Sequence, residues 1–377
     1  MLKNSFWLVV GVLSPSLAIA SSNEAINATV LYGVDSNPHQ LSSNLLVTEQ
    51  NYAEVEFKAR KSFFKTVYLS AKANKTQYID DRRGDQYNLS ANISLKSSFK
   101  IKGEKFKYKF SVNARNKDKT YVSKSSGLVA TFGGQSIADR YDSNQTNSLV
   151  QLSYLPYKNL TFDFIYRGRD KSYQQYNIAG LSNLDYQQQK IQLGMLYKAS
   201  EVGRFYVNGT HTERSFVDKR IKDLDGIDLL NTDLAYTYQA FNIGYIYHPE
   251  SGVRWKYSFN LENREDNGSG YYNALSGYLA ISGKHQFGVH HYFNTRIRYS
   301  NFILVNQIEP GLTVSDEETS GKQGISISVG YEWVIATLFE TNFALYLDLE
   351  HANYTNANDI YTYDRNKLSL GIRWSAF

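Results

Sequence analysis

A chain of 377 residues with no cysteine has no disulfide framework, no thiolate metal site and no cysteine nucleophile. Its 31 Tyr and 20 Phe exclude a disordered chain, although the mean hydropathy is only −0.45. The balance of 41 Lys+Arg against 36 Asp+Glu is too even to point at nucleic acid, and no nucleic-acid-binding signature is present.

The N-terminus reads as a secretory signal. Lys3 is its positive region, Phe6 to Leu13 a short apolar run before Pro15, and Ala18-Ile19-Ala20 a small-x-small cleavage site. Residues 1–20 are therefore expected to be a signal peptide, with 21–377 forming one barrel. No Cys follows the cleavage site, so no lipid anchor is expected there. No later segment approaches the roughly 20 apolar residues of a membrane helix. A membrane location then requires a closed barrel, because every backbone polar group needs a partner in lipid.

Period-two alternation runs down the rest of the chain. It predicts strands over Asn27–Asp35, Tyr52–Ser62, Thr66–Tyr78, Gln86–Lys96, Phe106–Asn116, Asn147–Leu155, Leu160–Arg169 and Tyr186–Ala199. The second half adds Gly203–Glu213, Asp233–His248, Val253–Arg264, Tyr272–Ser282, Gln286–Phe302, Gly324–Ile335, Leu338–Tyr354 and Asn366–Phe377. Phe106 to Arg115 is the clearest, with Phe, Tyr, Phe, Val and Ala on one face and Lys, Lys, Ser, Asn and Arg on the other. Short and long connections alternate, as in an even-stranded barrel with short periplasmic turns and long extracellular loops. Short turns include Pro156–Asn159, Gly283–His285 and Ala336–Thr337. The longest early loop is Lys117–Thr146, which either folds into the lumen or lies on the surface. Pro38, Pro156, Pro249 and Pro310 all fall in predicted turns or loops, where no ladder N–H is needed.

Aromatics gather at strand ends. Phe63, Phe64, Phe99, Tyr157, Trp255, Phe287, Trp333, Trp374 and Phe377 are candidates for a periplasmic girdle. Tyr52, Tyr78, Tyr87, Tyr166, Tyr236, Tyr299 and Tyr354 are candidates for an outer one.

The face opposite the apolar one carries the charge. It holds Lys58, Arg60, Lys72, Lys107, Lys109, Arg115, Arg167, Lys190, Lys256, Arg264, Arg296, Arg298, Glu332 and Glu350 as candidate pore-lining residues. Glu54, Glu56, Asp163, Lys198, Glu262, Asp348 and Arg373 share that face, and bases outnumber acids two to one. An Arg or Lys facing lipid at mid-membrane would cost about 2–4 kcal/mol, so these side chains belong inside. A basic interior reads either as an anion-favouring channel or as charge pairs bracing a narrow barrel. The seven His have no dense ligand spacing and no Gly-x-Ser-x-Gly elbow is present, so neither a metal, a cofactor nor catalysis is expected.

The final strand, ending in Phe377, resembles the terminal strand of Gram-negative outer-membrane β-barrel proteins. That resemblance implies recognition by the barrel-assembly machinery and contact with outer-membrane lipid and lipopolysaccharide. Leu368, Leu370, Ile372, Trp374 and Ala376 hold the phase opposite to Phe377, which a bulge near Ser375 would reconcile. The segment Tyr32-Gly33-Val34-Asp35-Ser36-Asn37-Pro38 resembles the opening of barrels from exopolysaccharide and capsule export loci, with Val34 where those barrels have Tyr. It implies polysaccharide secretion and export partners. The expected fold is an all-β, up-and-down antiparallel transmembrane barrel of about 16 strands in the outer membrane. The expected function is a channel, for exopolysaccharide secretion or as a general or anion-leaning diffusion porin. A lipid-modifying enzyme and an adhesive barrel are the remaining alternatives.

Overall fold

The computed structural model describes residues 24–42, 45, 48–64, 66–123, 126–306, 321–338, 341–356 and 362–376. The expected signal peptide, Pro310 and Phe377 lie outside the described residues.

Sixteen strands close into one antiparallel ring. They are β1 (Glu24–Asp35), β2 (Gln50–Phe63), β3 (Val67–Tyr78), β4 (Gln86–Ile101), β5 (Glu104–Lys119), β8 (Ser143–Tyr157), β9 (Leu160–Tyr173) and β10 (Tyr186–Lys198). The ring continues with β11 (Gly203–Phe216), β12 (Ala235–Tyr247), β13 (Arg254–Asp266), β14 (Ala274–Phe287), β15 (His291–Leu304), β16 (Gly321–Leu338), β17 (Thr341–Asn356) and β18 (Tyr363–Ala376). Two short strands, β6 (Thr131–Phe132) and β7 (Gln135–Ser136), form a hairpin inside the loop that joins β5 to β8. Each ring strand pairs with its neighbour in sequence, and β1 pairs with β18 to remove the last free edge. Helix is confined among the described residues to one 3-10 turn, Arg82–Gly84.

All the predicted strands are present, most of them longer than predicted. The reason is visible on the outward face. Its apolar band (Ile191, Leu193, Phe241, Phe259, Leu279 and their neighbours) is exposed. Pairing continues past that band through Gln189 opposite Glu213 and Thr237 opposite Glu265, where the outward residues turn polar. A strand of 14 residues such as β11 is roughly 45 Å long, or about 32 Å high at a tilt of 45°, more than the ~25 Å apolar band requires. The ladder therefore leaves the lipid before it ends.

Four local expectations are corrected. Gly283–His285 is strand rather than turn; β14 runs to Phe287, and the reversal falls at 288–290, where Gly288 has φ of 60°. Pro156 lies within β8, at the register shift between Tyr154 and Tyr157, where the ladder is already interrupted and no N–H is missed. No bulge occurs at Ser375, because β18 pairs without a shift on both sides. The irregularity sits instead in β16, between Val334 and Ala336, and the predicted turn at Ala336–Thr337 is strand.

The girdle divides. Phe63, Phe99, Trp255, Phe287, Trp333 and Trp374 share the outward face by register, as do Tyr87, Tyr166 and Tyr299. Tyr52, Tyr78 and Tyr236 are instead buried on the interior side, at 0%, 2% and 5% exposure, and Tyr354 shares that side. The alternation that points Glu54 and Glu56 inward carries Tyr52 with them, two residues away.

Candidate functional site: the barrel interior

The inward face is built by register. On β2, the outward Val55 and Phe57 pair with Val30 and Ala28, so Glu54, Glu56, Lys58 and Arg60 face in, as does Lys72 on β3. On β5, the outward Phe110 and Val112 leave Lys107, Lys109 and Arg115 inside. The same phase turns Arg167, Lys190, Lys256, Arg264, Arg296, Arg298, Glu332 and Glu350 inward on β9, β10, β13, β15, β16 and β17.

These groups fall into two arcs. On β1–β3 and β16–β18 most inward acids meet a base, while Asp348 and Glu350 are in no ion pair among the described residues. Glu56 bonds Lys58 and sits 2.6 Å from Lys72 Nζ. Glu54 lies 3.7 Å from Lys367, Glu332 pairs with Arg373, and Asp35 pairs with Arg365. On β4–β15 the inward acids are few, Asp163 and Glu262 among them, and most of the bases stand in no ion pair among the described residues. Lys107, Lys109, Lys190 and Arg296 have no ion-pair partner among the described residues, and Arg115 and Arg167 reach only the amide oxygens of Asn88 (2.8 Å) and Gln192 (3.3 Å).

What holds many of these cations is aromatic. Arg298 lies 4.1 Å over Tyr278, Lys256 4.9 Å over Tyr206, and Arg264 4.9 Å over Tyr236. Arg60 and Lys96 flank Tyr68 at 5.3 and 4.6 Å. A cation on a ring face keeps its full charge, whereas an ion pair cancels it. At the outer mouth the rings run almost continuously, Tyr141 to Tyr173 to Tyr186 to Phe216 to Tyr236 to Tyr272, with successive centroids 5.3–6.5 Å apart. Lys171 and Arg214 lie over Tyr173 and Tyr186 at 4.3 and 4.6 Å. Sequence reasoning missed Lys171 and Arg214 because it ended both strands too early; the parity that selected Arg167 would have found them.

The outer loops close over part of this mouth. L1 (36–49), L2 (79–85), L3 (120–142), L4 (174–185) and L5 (217–234) are tied together. Arg83 of L2 donates to the Gly127 carbonyl of L3 and bonds Asp81, whose carboxyl that bond lowers to about 2. L3 is a hairpin carrying β6 and β7, docked on its neighbours at the mouth rather than free. Asn37 of L1 donates to the Leu41 and Asp364 carbonyls at 2.9 and 3.0 Å.

A closed antiparallel barrel with an apolar outside and a charged inside has one solvent arrangement open to it: lipid around, water within. The protein is a multi-pass transmembrane β-barrel. No family model matches the chain, and no curated protein matches it. Similar solved structures include a BenF-like porin from Pseudomonas fluorescens Pf-5, at 11% identity and TM-score 0.48 over 93% of this chain and 98% of that one. They also include OccAB1 of Acinetobacter baumannii (10%, TM-score 0.46, 94% and 96% covered) and a loop-deletion mutant of OmpT from Vibrio cholerae (11%, TM-score 0.41, 94% and 100% covered). At such identities and scores these likenesses add nothing to the ladders themselves, which carry the fold.

Proposed function

We propose that the barrel is a diffusion channel that favours anions and catalyses no reaction. The single observation behind this reading is the excess of unpaired inward cations on β4–β15, facing an arc on β16–β3 where most of the acids are paired with bases. A ring of sixteen strands, roughly 30 Å across at ~4.8 Å spacing and ~40° tilt, is too wide for side chains to plug. Fixed positive charge in such a passage attracts anions and repels cations. In a planar bilayer across a potassium chloride gradient, the reversal potential is expected to show chloride preferred over potassium, with the preference fading at high salt as screening shortens. A cation preference, or no conductance, would sink the reading.

Export of an exopolysaccharide, implied by the Tyr32–Pro38 resemblance, is the narrower alternative. What favours diffusion over it is how that segment is used. Asp35 accepts from Arg365 Nε at 2.9 Å, from Tyr78 Oη at 2.8 Å and from the Asn37 N–H at 3.1 Å. Asn37 clasps Leu41 and Asp364. The motif is thus spent on sealing β1 to β18 at the outer rim. For biogenesis we assign the barrel-assembly contact to β18, whose outward Leu368, Leu370 and Ile372 are exposed.

A further inference from the structure

Between L3, L4 and L5 lies a polar cavity of about 360 Å³, lined by residues that include Arg140, Gln174, Gln175, Tyr176, Asn177 and Asp218. That volume is at the lower end of the roughly 300–1,000 Å³ of small-molecule sites. Its walls are fixed by bonds between the loops. Tyr176 Oη accepts from the Asp139 N–H at 3.0 Å, Arg140 Nη2 donates to the Ser182 carbonyl at 3.2 Å, and the Gln174 N–H donates to the Asp142 carbonyl at 3.0 Å. L5 is joined to L4 through the Val217 N–H, which donates to the Asp185 carbonyl at 3.1 Å.

The outward face is apolar and the lumen is basic, whereas this cavity is walled by side-chain amides beside one tyrosine ring. Amides both donate and accept, which suits a ligand rich in hydroxyls. The side chains of Gln174 and Asn177 have no protein partner among the described residues. Arg140 has no ion-pair partner there either, although Asp218 also lines the cavity. Lys219, next to Asp218, holds its ammonium 4.6 Å over Tyr272 and 5.3 Å over Phe216.

We propose that this cavity is a saccharide-binding site selective for a sugar acid. Arg140 meets its carboxylate, Gln174, Gln175 and Asn177 its hydroxyls, and Tyr176 offers an aromatic face. The site deepens the anion-channel reading by naming a solute class, and it rests on that reading only for passage of the bound solute into the lumen.

Calorimetry on the full-length barrel folded in detergent tests the binding without any need for conductance. Digalacturonate and the neutral disaccharide cellobiose are the probes. Digalacturonate is expected to bind about tenfold more tightly, as a charge-assisted contact allows. Arg140→Gln is expected to bring it down to the cellobiose level, and Gln174→Ala with Asn177→Ala to weaken both several-fold. Both variants change exposed or half-exposed loop side chains, and the heat-dependent gel shift of a folded barrel confirms that they fold. No heat from digalacturonate at roughly millimolar concentration overturns the site. Equal binding of the two probes, or unchanged affinity in the folded variants, overturns it as well. Binding without conductance would leave the site standing and remove the channel; conductance without binding would do the reverse.

Discussion

Lys219 is held by three rings, at 4.6 Å from Tyr272, 5.3 Å from Phe216 and 6.0 Å from Tyr236. Burial is the main reason its ammonium drops to about 8, with Arg264, Lys222 and Arg140 pushing the same way. The group is charged below that value and neutral above it. Because the folded protein binds this proton less tightly than the unfolded chain, stability gains as pH rises from about 8 toward the ordinary lysine value near 10.4. The channel responds in the opposite sense. Anion preference is expected to weaken between about pH 6 and about pH 9.5, and Lys219→Gln to flatten that change, as read from reversal potentials. Asp35 is a second residue with a measurable role. It has 0% exposure and its charge is balanced by Arg365. Asp35→Asn is expected to cost up to about 3–5 kcal/mol and lower the unfolding temperature in detergent, while adding Arg365→Met recovers part of the loss. Equal damage from the single and double variants would show that the pair does not act as a unit.

Among the elements, the turn between β4 and β5 shows how local rules and local strain coexist. Ile101 pairs with Glu104 across Lys102 and Gly103, which have φ of 50° and 88°. Two positive values make this a tight two-residue hairpin, whose twist matches the strands it joins. Gly103 takes such a conformation freely, but a lysine at the first position does not. Lys102→Asn is expected to stabilise the barrel by up to about 1 kcal/mol, seen as a higher midpoint in urea. A lower midpoint would mean that the Lys102 side chain contributes more than its backbone costs. Strand identity was legible throughout, because alternation is a property of two successive residues and needs no partner, whereas Tyr52, Tyr78, Tyr236 and Tyr354 were misplaced where their strands run past the lipid. Strand ends were not legible, since β5 continues through Lys117 and Lys119 and β11 through Arg214 and Phe216 beyond the lipid-facing stretch. The ladder there is held by its neighbours rather than by an apolar environment.

Across the whole molecule, charge is sorted around the ring. Reversing Lys107, Lys109 and Arg115 to Glu on β5 is expected to turn the chloride preference toward potassium, because these bases stand in no ion pair among the described residues that the reversal would break. The same reversal at Lys58 and Lys72, which share Glu56, is expected to destabilise the barrel more than it alters selectivity. Sequence alone pointed to a barrel of about 16 strands with its charged face turned inward, since period two and the cost of charge in lipid are local facts. Only the tertiary structure decided which of those charges remain free. Glu54 meets Lys367 and Asp35 meets Arg365 across the β1–β18 closure, between residues more than 300 positions apart. The cavity between L3, L4 and L5 arises the same way, from loops brought side by side by strand order. Pairing and enclosure depend on register and on the curvature of the closed sheet, which no single stretch of sequence contains.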